Sequence, residues 1–289
     1  MASSPSALVL IGFGINAEDE LAHALRLGGA KTELVHFNKL LADGGAELEK
    51  YQMLAIPGGF SFGDDIQSGR VLANKFKYRL KEPFKKFIDS GKPVIGICNG
   101  FQVLTQFGAL PGFENSERRM TLMRNASGRF ENRWVNMRTE ESACKFSNGL
   151  GLLSMPVRHG EGRVLFASDE DKKKMEENKQ IVFRYADMFG KTADSYPLNP
   201  NGSTDAIAGV CNPAGNVLGL MPHPECHTSY VQSPYWSMNP PVPTKKAQDL
   251  GLLGRLALSF GLVSQPAQPK DEGNCVPLFV NLADAARKF

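Results

Sequence analysis

A cysteine between two glycines, Cys98, directly follows a short apolar run at residues 94–97. The run suits a buried strand, and the apolar residues after the cysteine recur at helical spacing. We therefore expect Cys98 at the N-terminus of a helix, where free backbone N–H groups and the helix dipole stabilise a thiolate. The same N–H groups can hold an oxyanion, so this Gly-x-Cys-x-Gly pattern predicts a nucleophile that attacks a carbonyl carbon.

A cysteine nucleophile needs a base, and His223 lies just past a second apolar run, between two prolines. The prolines fix φ on both sides of the histidine and restrict the direction of its imidazole. Glu225 follows two residues later and can orient the ring by accepting from its other nitrogen. Alone, each feature is more typical of an inert buried cysteine or of a loop histidine. Together, each at the end of an apolar strand, they predict a Cys98–His223–Glu225 triad.

A glycine-rich loop at residues 57–64 follows a third apolar run, at residues 53–56. Open α/β sheets bind their ligands at the carboxyl ends of such strands. Gly58 and Gly59 allow backbone N–H groups to approach a substrate closely, which makes them candidates for a second oxyanion donor. Taken alone, the loop fits an ordinary turn equally well.

Strands and helices alternate in the first part of the chain. A strand at 7–13, a helix at 18–27 and a strand at 32–37 indicate a doubly wound, mainly parallel α/β sheet with helices on both faces. One helix over 68–87 leads to the Cys98 strand. After residue 110 shorter strands joined by polar turns indicate an antiparallel extension beside the main sheet.

The chain divides, by its patterns, into a domain over 1–227 and a C-terminal extension over 228–289. The extension begins with a segment rich in proline and aromatic residues. A helix is expected over 244–262, followed by a polar linker over 264–274 and a short terminal segment.

The composition, 289 residues with 42% hydrophobic content and a net charge of +3, is typical of a globular protein with a large core. Positive charge forms no stripe, so no nucleic-acid partner is expected. No apolar run approaches the roughly 20 residues that span a membrane, and the N-terminus does not resemble a secretory signal. A cytoplasmic protein is therefore predicted. Its five cysteines lack a Cys-x-x-Cys spacing, which favours free thiols over disulfides or a metal site.

Several segments together resemble the class I, triad-type glutamine amidotransferases, and within them the glutaminase subunits of phosphoribosylformylglycinamidine synthase. The resemblance covers about residues 8–225 and includes a flavodoxin-like sheet. Its segments are 57–64 (PGGFSFGD), 96–102 (GICNGFQ), 159–163 (HGEGR), 199–203 (NPNGS) and 221–225 (MPHPE).

The resemblance implies that Cys98 attacks the side-chain amide of glutamine, that His223 moves the protons and that Glu225 orients His223. It further implies that the N–H groups of Gly59 and Asn99 hold the oxyanion. Other positions receive supporting roles. The implied pocket residues are Phe60 and Gln102, and the implied residues of the active-site rim are His159, Glu161 and Arg163.

The resemblance also implies partners. Ammonia would pass to a synthetase subunit, PurL, which uses ATP and Mg²⁺ to make formylglycinamidine ribonucleotide in purine synthesis, and a small bridging subunit, PurS, belongs to the same expectation. This chain has no Gly-x-x-x-x-Gly-Lys-Ser/Thr loop and is expected to bind no cofactor itself. Two features depart from the family pattern: Ala17 replaces a cysteine after the first strand, and the tail beyond residue 226 is longer.

Alternatives remain within and outside enzymes. A γ-glutamyl hydrolase or an amidotransferase that serves another synthetase would use the same triad, although Asn99 and the 159–163 segment argue against both. A non-catalytic regulatory protein of the same fold would not need an intact triad. A redox-sensing cysteine protein would not need a histidine between prolines.

Overall fold

A nine-stranded sheet forms the centre of the protein, in a computed structural model that describes residues 3–112, 119–236 and 272–289. Five parallel strands occupy one side in the order β2-β1-β3-β4-β11. These strands are β1 (Ser6–Ile11), β2 (Lys31–His36), β3 (Met53–Ile56), β4 (Val94–Ile97) and β11 (Val217–Leu220). Every residue of β3, β4 and β11 is buried, as expected for parallel strands covered on both faces.

Antiparallel strands continue the sheet beyond β11 in the order β10-β9-β6-β7. They are β6 (Glu131–Thr139), β7 (Leu152–His159), β9 (Ile181–Ala186) and β10 (Ile207–Cys211). The two remaining strands, β5 (Met120–Arg124) and β8 (Glu161–Phe166), form a separate antiparallel pair. The doubly wound, mainly parallel fold with an antiparallel extension is thus confirmed. Of the strands expected in that extension, β6 and β7 pair at the end of the main sheet itself, while β5 and β8 form the separate pair.

The helices that cover the sheet are mostly short. Their bounds are α1 (Glu18–Leu27), α2 (Phe37–Ala42), α3 (Arg70–Arg79), α4 (Lys81–Asp89), α5 (Asn99–Phe107), α6 (Asp169–Glu177) and a C-terminal helix (Val276–Ala286). The single helix expected over 68–87 was wrong, because α3 ends at Arg79 and the backbone of the next residue, Leu80, is not helical (φ −132°, ψ 17°). Pro83 in the first turn of α4 has no N–H to donate to the carbonyl of Arg79, which favours a break there.

The C-terminal helix packs on the body of the protein. Phe279 is fully buried, and a Cβ built on Gly28 at the end of α1 would lie 2.4 Å from the Phe279 carbonyl oxygen. The helix expected over 244–262 and most of the 264–274 linker lie outside the described residues, and the domain boundary at residue 227 stays a prediction. Among the described residues, no helix has the length and apolarity needed to cross a membrane.

Truncation of the buried Phe279 side chain should destabilise the whole protein, because the C-terminal helix shares its core. We expect Phe279→Ala to lower the free energy of unfolding by about 3–5 kcal/mol. The matched control is Val280→Ala on the same helix, where the side chain is 37% exposed and the change should be about 1 kcal/mol or less. Urea-induced unfolding measures both, and equal losses would contradict this packing.

Candidate active site

The nucleophile elbow is formed at the junction of β4 and α5. Cys98 has φ 51° and ψ −104°, a strained backbone that directs the chain sharply from strand to helix. Its N–H donates to the carbonyl of Leu220 at the end of β11. The two glycines of the pattern are required by packing: a Cβ on Gly96 would lie 2.5 Å from Leu104, and one on Gly100 would lie 2.0 Å from the carbonyl oxygen of Ile56.

The structure brings His223 and Glu225 to this elbow. Strand β11 pairs in parallel with β4, with Leu220 opposite Ile97, so the chain that leaves β11 emerges beside Cys98. His223 Nδ1 lies 2.6 Å from Glu225 Oε1, and both side chains are buried. Nδ1 therefore donates to the carboxylate. The other ring nitrogen, Nε2, is buried and has no partner within hydrogen-bond distance in the described part of the chain.

Charge around His223 favours its protonated form. Burial opposes protonation, but the negative charge of Glu225, the electrostatic interaction with Cys98 and the hydrogen bond that Nδ1 donates to Glu225 outweigh it and raise the pKa of His223 to about 10. The imidazole thus holds its proton at neutral pH. A protonated His223 can donate its Nε2 proton to a leaving group.

The edge strand β7 contacts both catalytic candidates through its backbone. Cys98 Sγ lies 3.7 Å from the carbonyl oxygen of Arg158, and the His223 N–H donates to the carbonyl of Pro156 at 2.9 Å. Sequence reasoning missed this role of β7. Backbone carbonyls carry no side-chain signal, so nothing in the sequence indicates it.

The glycine loop after β3 lies against the catalytic residues. A Cβ on Gly58 would be 2.8 Å from His223 Cε1 and 3.5 Å from Cys98 Cβ, so only glycine leaves both side chains in place. The loop is held by the loop after β1, since Phe60 N–H donates to the Gly14 carbonyl at 2.8 Å. Gly59, with φ 141°, has backbone that few other residues adopt.

The two proposed oxyanion donors are the N–H groups of Gly59 and Asn99. Neither N–H donates to another described residue. Asn99 is the first residue of α5, where a backbone N–H has no partner within the helix. Both groups are therefore available to a ligand, and their role as oxyanion donors stays a prediction.

The side chains of Asn99 and Gln102 are buried and tie the elbow to its surroundings. Asn99 Nδ2 donates to Gln102 Oε1 at 2.9 Å and to Asp64 Oδ1 at 3.3 Å. Gln102 Nε2 donates to the carbonyl of Glu161 at 2.5 Å. The Gln102 amide is thus engaged on both sides by protein groups. Phe60 is 45% exposed, with its ring 6.3 Å from that of Phe130.

The rim residues have separate surroundings. His159 is buried, and burial together with the charge on His223 lowers its pKa to about 3, so it is neutral. Glu161 accepts from the N–H of Ser68 at 3.2 Å, while Arg163 donates to the carbonyl of Gly202 at 3.1 Å.

Asp64 is a site residue that sequence reasoning did not single out. It lies in a stretch where Phe62, Gly63, Asp64 and Ile66 all have positive φ. Such strain is concentrated at functional sites. Burial raises the pKa of the Asp64 carboxyl, and the nearby charge of Glu161 adds to the shift, while a hydrogen bond from Ser68 opposes it. The sequence signal for Asp64 was its position at the end of the glycine-rich loop, residues 57–64.

Among the described residues, one group has the composition of a metal site. Ligand atoms of His223, Glu225 and Cys226 lie within 4.8 Å of one another. His223 and Glu225 already share a hydrogen bond in this group. The expectation that the chain binds no metal stays a prediction.

The charge state of His223 can be measured directly. We expect ring ¹⁵N shifts to report a protonated His223 throughout pH 6–8, because its pKa is raised to about 10. Glu225→Gln removes a negative charge and should lower that pKa, so the neutral ring appears at lower pH. A neutral His223 at pH 7 in the unmodified protein would contradict this electrostatic account.

Comparisons with known proteins agree with the geometry. The CobB/CobQ-like glutamine amidotransferase domain matches residues 4–250. PurQ subunits of phosphoribosylformylglycinamidine synthase are similar: the Methanococcus maripaludis protein is 45% identical over 237 residues, 81% of this chain and 86% of that protein. The Dehalococcoides mccartyi protein is 42% identical over 235 residues, 81% and 90% of the two chains.

A solved structure extends the likeness to the fold. A chain in the structure of PurLQS from Thermotoga maritima has a TM-score of 0.63 and 30% identity, over 80% of this chain and 92% of that one. The resemblance inferred from the five sequence segments is confirmed. The chain belongs to the glutamine amidotransferase family, in the branch of the PurQ subunits of phosphoribosylformylglycinamidine synthase.

Proposed function

We propose that this chain is the glutaminase subunit of phosphoribosylformylglycinamidine synthase, with Cys98, His223 and Glu225 as its catalytic residues. One observation carries the assignment of these residues: the buried His223–Glu225 hydrogen bond of 2.6 Å lies beside the cysteine elbow. A histidine oriented by a carboxylate next to a strained cysteine is the arrangement that acyl transfer through a thioester requires.

The first half of the reaction releases ammonia. The Cys98 thiolate attacks the side-chain amide carbon of glutamine, and a C–S bond forms while the carbonyl becomes an oxyanion. Collapse of this intermediate breaks the C–N bond. The His223 imidazolium gives its Nε2 proton to the departing nitrogen, which leaves as ammonia. A γ-glutamyl thioester on Cys98 and a neutral His223 remain.

The second half restores the enzyme. Neutral His223 accepts a proton from water as the water oxygen attacks the thioester carbon, and the C–S bond breaks to release glutamate and the Cys98 thiolate. The N–H groups of Gly59 and Asn99 would hold the oxyanion in both halves, where one such donor is worth roughly 3 kcal/mol in related acyl transfers. The two halves together convert glutamine and water into glutamate and ammonia and regenerate Cys98 and His223.

The ammonia requires an acceptor on another protein. By analogy with the PurLQS assembly named for the Thermotoga maritima structure, the partners are a PurL synthetase subunit, which uses ATP and Mg²⁺, and a PurS subunit. Direct transfer between docked subunits is expected, since ammonia free in water at neutral pH is mostly protonated. A cytoplasmic location is part of the same proposal and is supported by the absence of disulfides among the described cysteines.

Loss of the nucleophile should abolish glutamate release by the assembled enzyme. The chain is combined with the synthetase and PurS subunits from the same source, ATP, Mg²⁺, formylglycinamide ribonucleotide and glutamine. We expect Cys98→Ala to reduce glutamate formation by about 10⁴-fold or more, as for other triad nucleophiles. Glu225→Gln should retain more activity, since it leaves the nucleophile and base in place.

Cys144→Ala is the matched control, since Cys144 is buried next to Gly215, before the start of β11 and at the opposite end of that strand from His223, and should not affect turnover. Ammonia supplied directly should support synthesis with the Cys98→Ala complex, which separates loss of glutaminase from loss of assembly. Full glutamate release by the Cys98→Ala complex would overturn the proposed function.

A further inference from the structure

The outer edge of β7 carries a row of outward backbone groups. The backbone carbonyls of three alternate residues, Ser154, Pro156 and Arg158, accept hydrogen bonds from Cys98 and from the segment from His223 to His227, here called the catalytic segment. The Pro156 carbonyl accepts from the N–H of His223 at 2.9 Å, and the Arg158 carbonyl oxygen lies 3.7 Å from Cys98 Sγ. Pro156 has no N–H, so at this position the strand edge presents only a carbonyl acceptor to His223. One strand edge thus sets the spacing of nucleophile and base.

The third carbonyl of the row, that of Ser154, accepts a hydrogen bond from His227, the last residue of the catalytic segment. His227 Nδ1 donates to it at 2.5 Å. Burial lowers the pKa of His227, and the ring is held in place by an edge contact with Trp134 at 4.9 Å between centroids. The segment from His223 to His227 is therefore anchored to β7 at both of its ends.

Residues 273–275, near the C-terminus, bind to the backbone at the end of this segment. The N–H of Gly273 donates to the carbonyl of Thr228 at 2.9 Å, and that of Cys275 donates to the carbonyl of His227 at 3.4 Å. The approach is tight, since a Cβ on Gly273 would lie 2.2 Å from the His227 carbonyl oxygen. Segment 273–275 thus pairs with the backbone directly after the triad.

The same segment also reaches Ser154. The Ser154 N–H donates to Asn274 Oδ1 at 3.4 Å, and Cys275 Sγ lies 3.6 Å from the Ser154 carbonyl. Cys275 is fully buried, and burial together with the charge of Glu225 raises the pKa of its thiol. The C-terminal helix that begins at Val276 fixes the segment to the core. Segment 273–275 therefore contacts both Ser154 on β7 and the backbone of His227 and Thr228.

We propose that segment 273–275 positions the triad: it holds His227 and Ser154 together and thereby sets where His223 lies along β7 relative to Cys98. This inference rests on the proposed function and deepens it. The tail beyond the triad thus supplies part of the active-site framework, and Asn274 is a positioning residue that does not contact the reacting atoms. A misplacement of about 1 Å at such a site is enough to reduce turnover substantially.

The test uses full-length variants in the complete synthase complex. Asn274→Ala removes the contact with Ser154, and Gly273→Ala forces the backbone away from His227. We expect each to lower kcat for glutamate release about tenfold or more, while KM for glutamine stays within about twofold, because the glycine loop and α5 are untouched. The pH dependence of Cys98 alkylation by iodoacetamide, measured on the same chains, should shift as the His223–Cys98 geometry changes.

Asn281→Ala is the matched control. Asn281 lies on the same C-terminal helix but donates to the carbonyls of Phe146 and Asn148, away from the triad. Its loss should lower the thermal midpoint at least as much as that of Asn274 and leave kcat and the alkylation profile unchanged. Unchanged kcat and alkylation in both 273–274 variants, or equal losses in Asn281→Ala, would overturn the proposal. An inactive wild-type complex would instead overturn the proposed function, and the alkylation profiles would still decide the positioning role.

Discussion

The parallel pairing of β4 and β11 is the constraint on which the site depends. Because Ile97 lies opposite Leu220, the two strands end at the same edge of the sheet and release Cys98 and His223 side by side. The hydrogen bond from the Cys98 N–H to the Leu220 carbonyl joins the two strand ends directly. Backbone hydrogen bonds thereby bring residues separated by more than a hundred positions to the same edge of the sheet.

Electrostatics then determines how the pair behaves. A buried imidazolium is unfavourable in an apolar environment unless negative charge lies close to it. Glu225 supplies that charge through a 2.6 Å hydrogen bond, and interaction with Cys98 adds to the rise of the His223 pKa. Removing one partner of such a buried pair commonly costs about 3–5 kcal/mol, so the triad is also part of the stability of this edge of the sheet. Catalytic charge and folding are coupled here.

Much of this arrangement could be predicted from the sequence. Period and composition located the parallel strands, and the glycines around Cys98 and the prolines around His223 marked the two strand ends. The glycines are explained by close backbone approach, such as that of Gly100 to Ile56. The requirement for glycine at such positions appears in the sequence itself, so it could be recognised before the fold was known.

Other features had no local signal. The break at Leu80 is favoured by Pro83, but a proline in the first turn of a helix is well tolerated, so its position alone does not locate the boundary. The antiparallel strands join the main sheet through long-range pairing, such as that of β9 with β10, which no periodicity encodes. The contacts of Gly273 and Cys275 with the backbone of Thr228 and His227 link chain regions about 45 residues apart. They involve backbone groups that every residue possesses.

The central claim is that Cys98 carries the acyl group of glutamine. Rapid quenching of the assembled synthase during turnover, followed by peptide mass spectrometry, tests it directly. The account predicts a γ-glutamyl adduct on the peptide that contains Cys98, absent when glutamine is omitted. An adduct on Cys226 instead, or continued glutamate formation with Cys98 never modified, would contradict it.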